Sequence, residues 1–267
     1  MAAPADQVSS KHFVLVHGVC VGGWAWFKVA TWLRSAGHRV STPDLAASGV
    51  DPRPLREVPT FRQYSKPLLD LMGSLPPGEQ AGRVGHRPRL RAVPGKGRRC
   101  GVRLRLHAGP QVAAVYKKRR MDWMDMEFKP QDPEGKLPTS MRFGPLVTRA
   151  KFFQLCSPED LTLGRSLMRV GSMFVDDLKL QPPYTEARYG SVRKVFIVLK
   201  DDNAIFEGFQ RWMVQNYPVD EVREIHGADH MALLSTPAEL ARCLADVAGK
   251  YAACIDDGVA PVPRCRY

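Results

Sequence analysis

The sequence predicts an α/β fold, a mainly parallel central sheet flanked by helices. Two continuous apolar runs, Phe13–Val16 and Val195–Leu199, are typical of parallel strands that are buried on both faces. Segments with apolar residues at helical spacing separate such runs. A chain of 267 residues with 44% apolar content can bury one sizeable core, so we expect a single domain over residues 1–251.

The first part of the chain alternates strands with helices. The strand at Phe13–Val16 ends in a Gly-rich turn, and a helix is predicted over Trp26–Ala36. A second strand is predicted over His38–Leu45. An amphipathic helix over Phe61–Leu75 follows, and Pro76-Pro77-Gly78 end it.

The second half begins with an aperiodic stretch, Trp123–Pro145, which we interpret as part of a cap over the site, at about residues 110–185. The elements predicted after it are a mostly helical region over Leu146–Leu178, a strand over Lys194–Leu199, a short helix that includes Trp212–Asn216, a strand over Glu221–Ile225 and a closing helix over Pro237–Tyr251. Residues 252–267 contain Gly and Pro with little apolar content, which predicts a loose C-terminal tail.

The net charge of +12 is concentrated in one segment. Arg83–Arg120 holds 13 Lys/Arg and no Asp/Glu, which leaves 26 basic against 27 acidic residues in the rest of the chain. A strongly basic protein often binds nucleic acid, but here only this segment carries the excess positive charge that would suggest such a partner. The run Lys117-Lys118-Arg119-Arg120 resembles a nuclear signal, but only Tyr116 is there to stack on a base, and we disfavour a nucleic-acid partner.

The cysteines and the N-terminus bear on cofactors and location. The cysteines are Cys20, Cys100, Cys156, Cys243, Cys254 and Cys265. They show no CxxC spacing and no clustering with His, so we expect reduced thiols rather than a disulfide framework or a zinc site. No apolar run approaches the roughly 18 residues of a membrane helix, and Met1–Lys11 lacks a signal-peptide pattern. We expect a cytoplasmic protein with no cofactor, no metal and no membrane partner, and leave a homodimer open.

Six stretches of the chain resemble the plant methylesterases of the α/β-hydrolase superfamily, a family that also includes hydroxynitrile lyases. They are Phe13–Trp24, His38–Pro52, Cys156–Leu163, Tyr189–Val198, Phe209–Tyr217 and Gly227–Leu234. The resemblance covers about residues 11–86 and 121–251 and is nearest in kind to the salicylic-acid-binding methyl salicylate esterases. It implies an α/β-hydrolase fold with a small helical cap. In such enzymes a Ser attacks an ester, a His transfers the proton and an Asp orients the His.

The resemblance assigns the base and its acid by position. His230, in Gly227-Ala228-Asp229-His230-Met231, is the implied base, and Asp202, at the end of the preceding predicted strand, is the implied orienting acid. Asp201 remains an alternative to Asp202. We interpret Asp229 as a stabiliser of its own turn.

The nucleophile of this family is missing from the sequence. Gly85-His86 begin the Gly-x-Ser-x-Gly elbow, but Arg87 stands at the Ser position and Arg89 at the second Gly. The implied oxyanion donors are the backbone N–H groups of Val19 and of the residue after the nucleophile. That second residue is Pro88, which has no N–H, so we expect the chain as written to be inactive.

Residues 87–120 have the properties of an out-of-frame translation. Pro and Gly interrupt the helix expected after the elbow, and Arg99–Leu106 alternates apolar residues with Arg, a pattern for a strand exposed on one face. Codons for Val93–Gly109 read one base late permit Phe-Pro-Glu-Lys-Val-Ala-Ala-Ala-Val-Phe-Val-Ser-Ala-Ser-Met-Pro-Asp. That string has the helix end, buried strand and loop of the family. We hypothesise a frame error that disrupts the core around 87–120.

The cap is expected to set the substrate. Trp123, Met141, Phe143 and Met173 resemble pocket-lining positions of the salicylate-binding members, with core packing as the alternative. An apolar pocket suits the methyl ester of a small aromatic or cyclopentanone acid, or its free acid. The family implies methyl salicylate, methyl jasmonate and methyl indole-3-acetate as candidates. Two alternatives to a methylesterase remain. One is a non-catalytic relative that binds a small acid, and the other is a nucleic-acid binder that uses the basic segment.

Overall fold

The computed structural model describes residues 10–76, 81–85, 100–103, 123–180, 193–217 and 219–256. The strands are β1 (His12–Val16), β2 (Arg39–Ser41), β3 (Ala81–Gly85), β4 (Cys100–Arg103), β5 (Glu127–Lys129), β6 (Ser140–Arg142), β7 (Arg193–Leu199) and β8 (Glu221–Ile225). The helices are α1 (Phe27–Ser35), α2 (Phe61–Tyr64), α3 (Lys66–Ser74), α4 (Pro145–Val147), α5 (Pro158–Leu167), α6 (Val175–Lys179), α7 (Glu207–Asn216), α8 (Ala232–Ser235) and α9 (Pro237–Asp256).

Six strands form a parallel sheet in the order β2-β1-β3-β4-β7-β8, which confirms the predicted sheet. In register, Val16 at the end of β1 lies beside Gly85 at the end of β3. Likewise Leu199 of β7 lies beside Ile225 of β8. Because the strands are parallel, their carboxyl ends meet at one edge, and open α/β sheets bind ligands outside that edge.

The core lies on both faces of the sheet because successive side chains of a strand point to opposite faces. Phe13 and Leu15 of β1 pack in a cluster with residues of α1 and α9. Val14 and Val16 pack on the other face with residues of α2 and α3. All five residues of β1 are buried, which explains why this strand is a continuous apolar run.

The second predicted helix is divided. Thr60 caps α2 by accepting a hydrogen bond from the Gln63 N–H, and Gln63 returns the interaction in a capping box. The chain then breaks at Ser65, and Pro67 lies in the first turn of α3, where a missing N–H is tolerated. The spacing of apolar residues over Phe61–Leu75 predicted the buried face of a helix but did not predict the break at Ser65.

The cap contains short helices and also a hairpin within the stretch that had no clear periodicity in the sequence. An antiparallel hairpin of β5 and β6 precedes α4, and a π-helical turn, Thr148–Phe152, continues from α4. The hairpin strands are three residues each, too short for an alternating pattern to be recognised. At the base of α5, the Lys28 ammonium pairs with the buried Asp160 carboxylate at 2.6 Å, which joins the cap to α1.

Two further findings concern β4 and the end of α9. β4 pairs with β3 and with β7, so by its backbone pairing it is a central strand of the sheet. Parallel pairing uses backbone N–H and C=O groups, which a strand containing Arg also supplies. The rest of the predicted disruption at 87–120 lies outside the described residues. α9 continues to Asp256, five residues beyond its predicted end at Tyr251.

We expect Arg103→Val to raise the free energy of unfolding by about 1–3 kcal/mol, because a central strand with helices on both faces disfavours a guanidinium. Arg39→Val is the matched control, since Arg39 is exposed on the edge strand β2, and should change stability by less than about 0.5 kcal/mol. Urea unfolding followed by circular dichroism measures both. Equal urea midpoints for the two variants would contradict the expectation that Arg103 lowers the free energy of unfolding.

Candidate active site

Two side chains at the carboxyl edge of the sheet face each other. Asp202 follows β7 and His230 follows β8, and Oδ1 of Asp202 lies 3.3 Å from Nδ1 of His230. The Asp202 side chain is fully buried, and the His230 side chain is 17% exposed. A buried carboxylate at one ring nitrogen fixes the imidazole orientation and leaves Nε2 as the other proton-transfer position.

Backbone groups hold the Asp202 carboxylate in place. Its Oδ1 also accepts hydrogen bonds from the N–H groups of Ala204 at 2.8 Å and Ile205 at 2.9 Å. Asp201 is exposed, and its Oδ2 accepts instead from the N–H of Gly227 at 2.8 Å. The structure therefore brings Asp202, and not Asp201, to His230.

The neighbouring Asp229 is completely buried. Its Oδ1 accepts from the Met231 N–H at 2.9 Å and the Ser235 hydroxyl at 2.8 Å, and its Oδ2 from the Leu155 N–H at 2.9 Å. The Cys156 thiol also donates to it, and burial together with the Asp229 charge raises the pKa of that thiol well above its usual value. Asp229 thus stabilises the His230 turn and ties it to the cap.

A second histidine at the site is held by the backbone. Nε2 of His17 accepts a hydrogen bond from the Leu45 N–H at 3.0 Å, so Nδ1 carries the proton and donates to the Gly18 carbonyl at 2.7 Å. His17 is 1% exposed. With Nε2 already accepting, His17 fixes the turn that follows β1 and is a poor general base.

A cavity of about 90 Å³ lies at this edge. One water requires only about 10–15 Å³, so the cavity is large enough for a small organic group. The described residues that line it are His17, Gly18, Val19, Val21, Ala25, Trp26, Phe61, Phe143, Phe152, Phe153, Met168, Met173, Leu178, His230, Met231 and Leu233. Apart from the two histidines these side chains are apolar or small, which favours an apolar ligand with one polar end.

Four residues were predicted to line the pocket, and the structure places two of them there. Phe143 and Met173 line the cavity, and Phe143 stacks on Phe152 at a centroid distance of 4.4 Å. Met141 and Trp123 are not among the described lining residues. Met141 is buried in β6, and Trp123 packs edge-on against Phe128 at 5.7 Å.

Sequence reasoning missed Phe61, Phe152, Met168 and Leu178 as lining residues. Phe152 also contacts His230 edge-to-face at 4.7 Å. In the sequence these residues are indistinguishable from core residues, because helical periodicity identifies an apolar face without saying what covers it.

The predicted positions of the nucleophile and of the second oxyanion donor, Arg87 and Pro88, lie outside the described residues. β3 ends at Gly85, two residues before position 87, and Gly85 is in register with Val16. The turn that carries Val19 follows β1 at the same edge. Val19 itself lines the cavity.

In the part of the chain that the structure describes, no cluster of three His, Cys, Asp or Glu residues could hold a metal ion. Within those same ranges, no helix has both the length and the apolar character needed to cross a membrane. Cys20, Cys156 and Cys243 are reduced thiols.

A family model described as "Alpha/beta hydrolase family" matches residues 13–243. The chain belongs to the α/β hydrolases. This α/β hydrolase is 41% identical over 263 residues to salicylic acid-binding protein 2 of Nicotiana tabacum, covering 90% of this chain and 98% of that protein. It is 38% identical over 258 residues to methyl jasmonate esterase 1 of Vitis vinifera, covering 90% and 98%. The crystal structure of polyneuridine aldehyde esterase matches with a TM-score of 0.81 at 35% identity, covering 90% of this chain and 100% of that one.

Proposed function

We propose that the gene for this α/β hydrolase specifies a carboxylic ester hydrolase, a methylesterase, and that the chain as written is an inactive form of it. The observation that carries the proposal is the Asp202–His230 pair, 3.3 Å apart at an apolar cavity. Similarity to a methyl jasmonate esterase and to polyneuridine aldehyde esterase supports ester hydrolysis.

The proposed reaction requires a serine at position 87. Its hydroxyl attacks the ester carbonyl while Nε2 of His230 takes the proton, and Asp202 stabilises the resulting imidazolium. The imidazolium then protonates the departing methoxide, and methanol leaves an acyl-enzyme. Water repeats the sequence with His230 as base, which releases the acid and restores the serine. The backbone N–H of Val19 donates to the oxyanion.

The proposed substrates are methyl esters of small hormone-like acids: methyl salicylate, methyl jasmonate or methyl indole-3-acetate. An apolar wall of aromatic and Met side chains accommodates the ring or cyclopentanone part. The carbonyl group is then the polar end that meets His230 and Val19. Two similar proteins are named for salicylic acid binding and for methyl jasmonate hydrolysis, and these names support the proposed substrate class.

We expect neither the chain as written nor Arg87→Ser to turn over 4-nitrophenyl acetate above background. The single variant supplies the hydroxyl, but Pro88 still lacks the N–H of the second oxyanion donor. Absorbance of released 4-nitrophenolate measures the rate. The matched variant Arg87→Ala separates any effect of removing the guanidinium. Appreciable turnover by Arg87→Ser and none by Arg87→Ala would contradict the assigned role of position 88.

A second candidate function is non-catalytic binding of a small acid, because the cavity and the Asp202–His230 pair are present although Arg occupies the nucleophile position. Titration calorimetry of the chain as written with salicylate tests it. Binding that is lost in Phe143→Asp supports this function, and absence of binding contradicts it. A mobility shift of an oligonucleotide that disappears with added salt would favour the basic segment as a nucleic-acid site instead.

A further inference from the structure

Contacts from the cap converge on the residue after Val19. The carbonyl of Cys20 accepts a hydrogen bond from the Arg169 N–H at 2.9 Å. The Cys20 thiol donates to the carbonyl of Met141 at 3.4 Å. Cys20 has a φ of +63°, a left-handed conformation that costs a non-Gly residue energy and persists only where surrounding contacts enforce it.

Gly171 packs directly against the same turn. A Cβ on Gly171 would lie 2.8 Å from Cγ2 of Val19 and 3.0 Å from the backbone N of Cys20. Gly171 is held there by a two-way bridge to Met141, with N–H to carbonyl distances of 2.7 and 3.0 Å. A larger residue at 171 must therefore shift the Val19 side chain, and it crowds the backbone of the turn that carries Val19.

The Arg169 side chain fixes the other side of this segment. Its guanidinium donates to three backbone carbonyls, those of Gly49 at 3.1 Å, Asp51 at 2.5 Å and Arg53 at 3.2 Å. These carbonyls belong to a loop that is hydrogen-bonded internally through Asp51. The Asp51 carboxylate accepts from the N–H groups of Ala47 and Arg53, and the Arg53 guanidinium lowers the pKa of Asp51 to about 2.

We propose that Arg169 and Gly171 are positioning residues that hold the backbone N–H of Val19 at the cavity. Arg169 joins the 49–53 loop to Cys20, and Gly171 allows the cap to approach Val19. The segment that contains them begins and ends with cavity-lining residues, Met168 and Met173. The effect on catalysis rests on the proposed esterase activity, in which Val19 donates to the oxyanion. The proposal that Arg169 and Gly171 position the Val19 turn does not depend on that activity.

The test uses the chain as written, with no ligand, and follows alkylation of individual cysteines by N-ethylmaleimide with peptide mass spectrometry. Cys20 is 3% exposed. In Arg169→Gln and in Gly171→Ala we expect the alkylation rate of Cys20 to rise about tenfold. A change of that size is expected when local opening of the turn is favoured by about the net contribution of one hydrogen bond. The rates at Cys156 and Cys243 should stay unchanged. Both are partly buried, and burial raises the pKa of Cys243 to about 11, so they serve as slow internal references for a general change in thiol reactivity.

Two variants serve as matched controls. Arg165→Gln removes an exposed cap guanidinium that donates to a single carbonyl, that of Pro145. Gly249→Ala adds a methyl group where none of the described residues outside the helix backbone lies within 4 Å. Neither should change the Cys20 rate, and Arg169→Lys should restore part of the protection. An unchanged Cys20 rate in Arg169→Gln, or an equal rise at Cys20, Cys156 and Cys243, would overturn the proposal.

A kinetic measurement separates positioning from structure alone. In a frame-corrected protein with serine at 87, Arg169→Gln should lower kcat about tenfold with KM nearly unchanged, because an oxyanion donor acts in the transition state. A rise in KM at constant kcat would instead overturn the role of Arg169 in holding Val19. If the corrected protein has no esterase activity at all, the proposed function fails, while the alkylation result still decides the positioning.

Discussion

A protein with the reading frame of 87–120 corrected and serine at position 87 is expected to hydrolyse methyl salicylate or a related methyl ester, with release of methanol. His230→Ala should then lower kcat by about 10⁵–10⁶, since base and nucleophile act as one unit. Asp202→Asn should lower it by about 10⁴, because the amide stabilises the wrong tautomer of His230. Asp201→Asn is the matched control. It alters a neighbouring carboxylate that faces Gly227, and we expect less than about a threefold effect.

The same protein distinguishes esterase from lyase chemistry. Hydroxynitrile lyases of this family carry Lys directly after the catalytic His, where it can stabilise departing cyanide, and this chain has Met231. They also tend to have Thr where this chain retains Gly18. We therefore expect no cyanide from mandelonitrile. Cyanide release without cleavage of any methyl ester would contradict the assignment as an esterase.

The frame hypothesis is tested separately by sequencing the transcript across residues 87–120. A transcript that encodes these residues in the frame translated here would contradict it.

Gly49→Ala is expected to cost about 3–5 kcal/mol of stability, from backbone strain and from the loss of hydrogen bonds to a carboxylate. Gly49 has a φ of +54°, and a Cβ there would lie 1.9 Å from Oδ1 of Asp44. That carboxylate accepts from the N–H groups of Gly23 at 2.6 Å and Val50 at 3.1 Å, and the methyl group would displace it.

Two other glycines separate the contributions in the same urea-unfolding experiment. Gly37 has a φ of +84°, and no described residue lies within 4 Å of a Cβ built there, so Gly37→Ala should cost only the strain, about 1–2 kcal/mol. Gly249 lies in α9 with open space around it, and Gly249→Ala should stabilise by about 0.5–1 kcal/mol. Equal losses in Gly37→Ala and Gly49→Ala would show that the contact with Asp44 contributes nothing.

The hydrogen-bond partners of the acidic residues could be predicted only in part. Sequence position placed both Asp201 and Asp202 at the end of a strand and left the acid ambiguous between them. Adjacent residues leave a loop in different directions, and the direction depends on the backbone path that Ala204 and Ile205 stabilise. The interpretation of Asp229 as a stabiliser of its turn agrees with its bonds to Met231 and Ser235, while its bond to Leu155 of the cap had no local signal.

The sequence by itself determined the parallel sheet and the family, and it predicts that Arg stands at the nucleophile position. Buried parallel strands must be apolar on both faces, so β1 and β7 are visible as continuous runs, and a missing Ser at a fixed motif position needs no structure to detect. The tertiary structure decided which cap residues reach the cavity, how the hairpin of β5 and β6 forms, and that Gly171 contacts Val19. Those contacts join residues far apart in the chain, and a periodic pattern carries information about one element's own faces only.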